Sequence, residues 1–276
     1  MTTAQQLTNK RIDNEIDLQR AIIAEIKKAF RKLADLGYAG TFNSDLQFKN
    51  LDQEKLQKIL TDLRLAIYMW ITTYCQKTAK ETHESYPYAA APLKTSNIDH
   101  LNGGDKSVKE LISIYTNRFK YEAETWLAIG LYKGLKKASL MSIFTNYSDK
   151  PYKNPLFINT VKEKPDLSAI RVRNKGVSYG VGQYVSAENS LVRLARYAVA
   201  DTMREAQWHE WNADDAPPLL GYNVSRGSNY PCSYCDSMCG FHPADRAWLP
   251  PYHSRCCCVA SPVFSSESKS PISALL

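Results

Sequence analysis

The stretch Cys232-Ser-Tyr-Cys235-Asp-Ser-Met-Cys239, followed after a spacer of thirteen residues by His253-Ser-Arg-Cys256-Cys257-Cys258, holds six of the chain's seven cysteines. Cys232 and Cys235 stand at the spacing of a zinc knuckle, in which a tight turn brings two thiolates to one ion; His253 with Cys256 or Cys258 supplies the other half. Four protein ligands fill a tetrahedral zinc shell and leave no position for water or substrate, which is the arrangement of closed, fold-supporting sites. Cys256 is the first choice for the fourth ligand, since His-x2-Cys folds back in a turn. Cys258 follows closely, because alternate strand residues face the same side and leave Cys257 facing away. Three thiolates and one neutral imidazole on Zn(II) sum to minus one, a charge that Arg255 is placed to offset.

The other candidate donors read differently. Cys239 is expected to be a small buried residue beside Gly240, and Cys75, on a predicted helix, to be core. His83, His100, His209 and His242 have no ligand partner at metal spacing and read as surface or hydrogen-bonded histidines.

Working outward, composition is that of an ordinary globular chain: 276 residues, 44% hydrophobic and 23% charged. That excludes a disordered or fibrous protein. The net charge of +7 is diffuse; its densest spots, Lys133, Lys136 and Lys137 and then Arg171, Arg173 and Lys175, read as solvated faces rather than a nucleic-acid footprint. The polar start, Met-Thr-Thr-Ala-Gln-Gln-Leu-Thr-Asn-Lys, lacks the apolar core of a signal peptide, and no apolar run reaches the ~18 residues of a membrane span. The expectation is a reducing cytoplasm, where clustered cysteines hold zinc rather than disulfides.

The first half reads as helices. Ile12, Ile16, Ile23, Ile26, Phe30 and Leu33 recur at helical spacing and Gly37 follows as a stop. Leu56, Ile59, Leu60, Leu63, Ile67, Trp70 and Tyr74 make a second stripe. Ser107 and Glu110 form a capping box that opens a third, carried by Val108, Leu111, Tyr115, Phe119 and Trp126. Tyr86 to Asp105, with Pro87, Pro92, Gly103 and Gly104, is expected to be a loop.

Pro151, Pro155 and Pro165 and the glycines from Gly176 to Gly182 then mark a linker, with no Gly-Lys-Ser/Thr to make a phosphate loop. After it Ser186 caps a helix through Trp211, with Leu191, Leu194, Ala195, Ala198, Val199, Met203 and Ala206 on one face and Arg193, Arg196 and Arg204 elsewhere. Strand-like pieces at Gly221 to Ser225 and Cys258 to Val263 bracket the cysteines. The expected organisation is therefore α+β: a helical bundle over 1–147, a Pro/Gly-rich linker over 148–185, an arginine helix with a zinc-stapled module over 186–264, and a frayed tail over 265–276.

Gly180-Val-Gly-Gln-Tyr-Val-Ser, the helix with Leu-Val-Arg-Leu-Ala-Arg196, Gly221-Tyr-Asn-Val-Ser-Arg, Cys232-x2-Cys235-x4-Gly240 and Pro-Tyr-His253-x2-Cys256-x-Cys258 together resemble the phage head-morphogenesis family, the minor head proteins related to the F protein of phage Mu. The likeness spans roughly Ser139 to Val263. It implies a minor capsid component in the virion, assembled in the bacterial cytoplasm with portal and capsid proteins, without catalysis. The chain departs from the family's His-Pro-x-Cys-Arg-Cys at Arg255 and Cys257, and Arg196-Tyr-Ala replaces the usual Arg-Thr-Glu.

An enzyme is the competing class. Pro231-Cys232-x2-Cys235 matches half of a zinc deaminase signature, yet the His-x-Glu that shuttles the proton is missing. His-Glu-x2-His is also absent from the sequence. A nucleic-acid-binding zinc module is the third class; against it, Tyr230 to Val259 balances Arg246 and Arg255 with Asp236 and Asp245, so any contact with packaged DNA is expected from Arg171 to Lys175. The module's aromatics, Tyr230, Tyr234, Phe241, Trp248 and Tyr252, are expected to build a small core around the metal or to dock onto protein.

Overall fold

A computed structural model describes residues 2–41, 48–95, 105–163, 185–253 and 255–266. Among these lie seven α-helices and three strands: α1 (Thr3–Leu36), α2 (Gln53–Ser85), α3 (Val108–Tyr132), α4 (Lys137–Tyr147), α5 (Pro155–Glu163), α6 (Ala187–Trp211), β1 (Leu219–Ser225), the one-turn α7 (Ser233–Ser237), β2 (Gly240–Pro243) and β3 (Val259–Phe264). The fold is α+β. No helix among the described residues is long and apolar enough to cross a membrane. The glycine stretch from Gly176 to Gly182, the basic run from Arg171 to Lys175, His100 and the tail from 267 lie outside the described residues.

The chain divides into two compact units that follow contacts rather than chain order: Met1–Gln19, Trp70–Val108 and Leu194–Leu276 make one, Arg20–Met69 and Lys109–Arg193 the other. Residues that precede 148 thus contribute to both.

The second unit is helical. Its interior is aromatic: Phe30 of α1 stacks on Phe144 of α4 with ring centroids 3.7 Å apart, and Trp126 of α3 meets Phe144 edge-on and Phe157 of α5 at 4.6 Å. Buried carboxylates tie loose backbone to it. Glu122 accepts from the Ala187 amide at 2.8 Å, at the start of α6, and Glu124 from the Phe48 amide at 2.7 Å. Where a linker is expected, residues 151–163 form a short 3-10 turn and α5. The prolines start these elements instead of breaking them, because proline at the first helical position has no N–H to lose; the Asn154 side chain caps α5 by accepting from the Phe157 amide at 2.9 Å.

The first unit carries the sheet, with strand order β2-β1-β3 and both pairings antiparallel. Tyr222 of β1 is buried and faces His242 of β2 and Pro262 of β3. Its core joins Leu7 of α1, Tyr86, Met203 and Trp211 of α6, Tyr222 and Val224 of β1, and Cys235, Leu249, Cys256, Cys258 and Ala260. Gly221 is required in β1: a Cβ there would stand 2.2 Å from the His242 carbonyl oxygen and 2.6 Å from the Phe241 ring.

The helical stripes run somewhat differently from the sequence reading. On α6 every expected core residue is buried and Ser186 caps the helix, accepting from the Asn189 amide at 3.1 Å. On α2 the buried line turns through Ile71 and Cys75, leaving Trp70 and Tyr74 at its edge. On α1 it runs through Leu7, Leu18, Ile22 and Ile26, which puts Ile16 outside and turns Thr8, Arg11, Asn14 and Glu15 inward.

Candidate metal centre

Local chain geometry brings the knuckle together. Cys232 sits in extended conformation at the N-cap of α7, its carbonyl accepting from the Asp236 amide at 2.9 Å, and the single turn swings Cys235 into the core. Gly240, at φ 124°, then turns the chain into β2 with a backbone conformation that other residues rarely adopt. On the other side the Cys256 amide bonds back to the His253 carbonyl at 2.9 Å, the predicted turn. Gly227, just past β1, admits this segment: a Cβ there would lie 1.8 Å from the Cys257 carbonyl oxygen.

The result is two interlocking donor groups that share Cys235. In one, Cys232, Cys235 and His253 lie within 4.8 Å of one another; in the other, Cys235, Cys256 and Cys258 do. His253 turns its Nε2 to the sulfurs, 3.1 Å from Cys235 Sγ and 3.5 Å from Cys232 Sγ. Such a cluster of thiols and an imidazole can hold a metal ion. Cys256 and Cys258 are both buried and Cys257 is half-buried outside the groups, its thiol turned to the Arg255 carbonyl, in the irregular segment that precedes β3. Cys75 is core, fully buried on α2.

One expectation is corrected. Cys239 is exposed, its thiol pointing back to the Cys235 carbonyl at 3.3 Å, because the turn at Gly240 carries it outward. Of the aromatics expected to build a core around the metal or to dock onto protein, Tyr252 packs against the core that holds the buried donors, beside Tyr222, Trp211, Met203 and Leu249, while Tyr230, Tyr234, Phe241 and Trp248 are exposed.

The crowded thiols share protons unequally. Burial pushes Cys235 up to about 12. Cys256 is held down to about 5, first by a hydrogen bond from the Cys258 thiol, while Cys258 is raised by the same contact and by burial. Cys232 is lowered, chiefly by the Cys235 amide. A cation held here would displace these protons and take their place among the sulfurs.

The positive charge around the cluster comes from residues that the spacing of cysteines could not reveal. Arg255 is exposed. Arg226, at the end of β1, donates to the Cys232 carbonyl at 3.3 Å and also bonds Asp236 and the Tyr230 carbonyl. Arg11 of α1 donates to the Cys256 carbonyl at 2.8 Å and to Glu15 at 2.6 Å. Arg196 donates to the second oxygen of Glu15 at 3.1 Å, whereas Arg193 is exposed.

The other histidines among the described residues are hydrogen-bonded. His83 pairs at 2.9 Å with the buried Glu210, which also accepts from the Tyr88 and Ala89 amides; His209 meets the Ala91 carbonyl, and His242 the Met238 carbonyl. Comparison of the chain with protein-family models, with curated proteins and with solved structures returns no match.

Proposed function

We propose that the chain is a minor head protein of a tailed bacteriophage or prophage, acting in head morphogenesis and portal-associated assembly, with a structural zinc ion as the staple of its first unit. The observation that carries this reading is the donor set itself. Cys232, Cys235, His253, Cys256 and Cys258 fall in the order in which the chain resembles the head-morphogenesis family, and they gather in two groups of three donors that share Cys235. Soft thiolates with an imidazole suit zinc, and a shell closed by protein leaves no open position for substrate. The site would fix the fold and do no chemistry.

The surface of the module suits protein partners. Tyr230, Tyr234, Phe241 and Trp248 are exposed, the residue types enriched at protein interfaces. Of the nearby cations, Arg226 is engaged with Asp236 and Arg246 with Glu205 at 2.8 Å, and Arg255 is exposed. That leaves little to grip phosphates.

The test is co-expression with the portal protein of the same genome, followed by tagged purification and by mass spectrometry of assembled heads. Stable co-purification and a few copies per particle are expected. Absence from heads, with the portal present, would overturn the assignment.

A further inference from the structure

The guanidinium of Arg11 reaches from α1 into the segment that carries His253, Cys256 and Cys258. It ties three chain segments: Nη2 donates to the Cys256 carbonyl at 2.8 Å, Nη1 donates to Glu15 at 2.6 Å, and Glu15 accepts from Arg196 of α6 at 3.1 Å. The side chains of Arg11 and Glu15 are each only 3% exposed. Burying an arginine is costly, so one retained inside must hold something in place. Here it holds the backbone of a donor residue 245 positions away. Among the described residues Arg11 Nε has no hydrogen-bond partner, so the two Nη atoms make the side chain's contacts.

We propose that Arg11 is a positioning residue of the metal centre. By fixing the Cys256 carbonyl it sets the turn that presents a fourth thiolate to the ion, and by reciprocity the bound ion seats residues 3–19 of α1. The inference rests on the metal reading above and adds that the N-terminal helix is part of the metal-dependent structure.

Full-length protein purified without chelator is first analysed for zinc, and zinc retention is then titrated against chelators of graded affinity. The variants are Arg11→Met, Arg11→Lys and, as control, Asn14→Leu. Asn14 is as deeply buried on α1, but its side chain donates to Thr78 and Glu81 instead of the metal segment. Arg11→Met is expected to weaken zinc retention about tenfold, the scale of lost outer contacts at metal sites, and to shift the d–d bands of the cobalt-substituted protein. Arg11→Lys should recover part of the loss and Asn14→Leu should keep both readouts at wild type. Wild-type retention in Arg11→Met, or equal loss in Asn14→Leu, would overturn the proposal. Should Arg11→Met fail to fold, hydrogen exchange of residues 3–19 in the wild type decides: faster exchange after zinc removal supports the coupling, and unchanged exchange refutes it. Wild-type protein that carries no zinc sinks the metal reading itself, and with it this one, before any variant is compared.

Discussion

Glu15 of α1 and Arg196 of α6 form an ion pair across 181 positions of sequence, with Arg196 Nε donating to Glu15 Oε2 at 3.1 Å. Arg196 thereby ties α6 to a carboxylate from the far end of the chain. Glu15 also serves Arg11, so burial raises its carboxyl while two guanidiniums work to keep it ionised.

The two partners should therefore differ in what their loss does. Glu15→Ala leaves two cations facing each other beside the core and should destabilise by about 3–5 kcal/mol. Arg196→Ala leaves Glu15 still paired with Arg11 and should lose about 1–3 kcal/mol. Arg193→Ala, at an exposed position, should stay within about 0.5 kcal/mol of wild type. Denaturant unfolding of the three variants checks the order; a loss at Arg193 as large as at Arg196 would contradict it.

Donor sharing ranks the cysteine variants. Cys235 belongs to both donor groups, so Cys235→Ser should abolish zinc binding and most of the folded population. Cys239→Ser and Cys257→Ser, outside both groups, should keep a full equivalent of zinc. Cys256→Ser and Cys258→Ser separate the two candidates for the fourth ligand, because only the true ligand's loss should remove the metal. Metal analysis and far-UV circular dichroism of the purified variants give the readout.

Two glycines provide a steric contrast. Gly227→Ala would drive a Cβ to 1.8 Å from the Cys257 carbonyl oxygen, forcing apart β1 and the donor segment. More than about 2 kcal/mol of destabilisation is expected, with weakened zinc retention. Gly134, at φ +64° with nothing within 4 Å of a built Cβ, should lose only the ~1 kcal/mol of left-handed strain on mutation to alanine. Equal losses at the two positions would place the Gly227 effect in the backbone conformation, not in the close approach.

How much of this could be read from the sequence depends on how local the cause was. Cys232, Cys235 and His253 were legible because knuckle spacing and a turn suffice to bring them near, and α6 because its apolar period is unbroken from Leu191 to Ala206. Strand β2 was not: Gly240-Phe-His-Pro243 is bounded by residues that read as a turn, and its pairing with Gly221 to Val224 comes from the partner strand. The inward face of α1 was hidden for a deeper reason. Arg11, Asn14 and Glu15 are buried because their partners, the Cys256 carbonyl, Thr78, Glu81 and Arg196, lie elsewhere in the chain, so a hydrophobic periodicity placed Ile12 and Ile16 inside in their stead.

Asp201 of α6 makes a prediction in pH. Its side chain is nearly fully buried, and Arg204 Nη2 lies 2.5 Å from Oδ1 as an ion pair outside hydrogen-bonding geometry. Burial pushes its carboxyl up to about 7, against the opposing pull of Arg204 and Arg246, with Glu205 adding to the rise. A carboxyl raised in the folded state binds its proton more tightly there than in the unfolded chain, so it favours folding below its ordinary range near ~4. That contribution is lost as pH rises through about 7 and the loss is complete above it. Asp201→Asn stays neutral throughout and should gain on the wild type as pH increases, from no advantage near pH ~4 to roughly 2–4 kcal/mol at pH ~8. At 276 residues that is several degrees in Tm. Metal loss in acid affects both proteins alike, so the difference between their melting temperatures is the quantity to follow. A difference that stays constant from pH ~4 to ~8 would mean that Asp201 is ionised in the folded protein at every pH tested, and that Arg204 outweighs its burial.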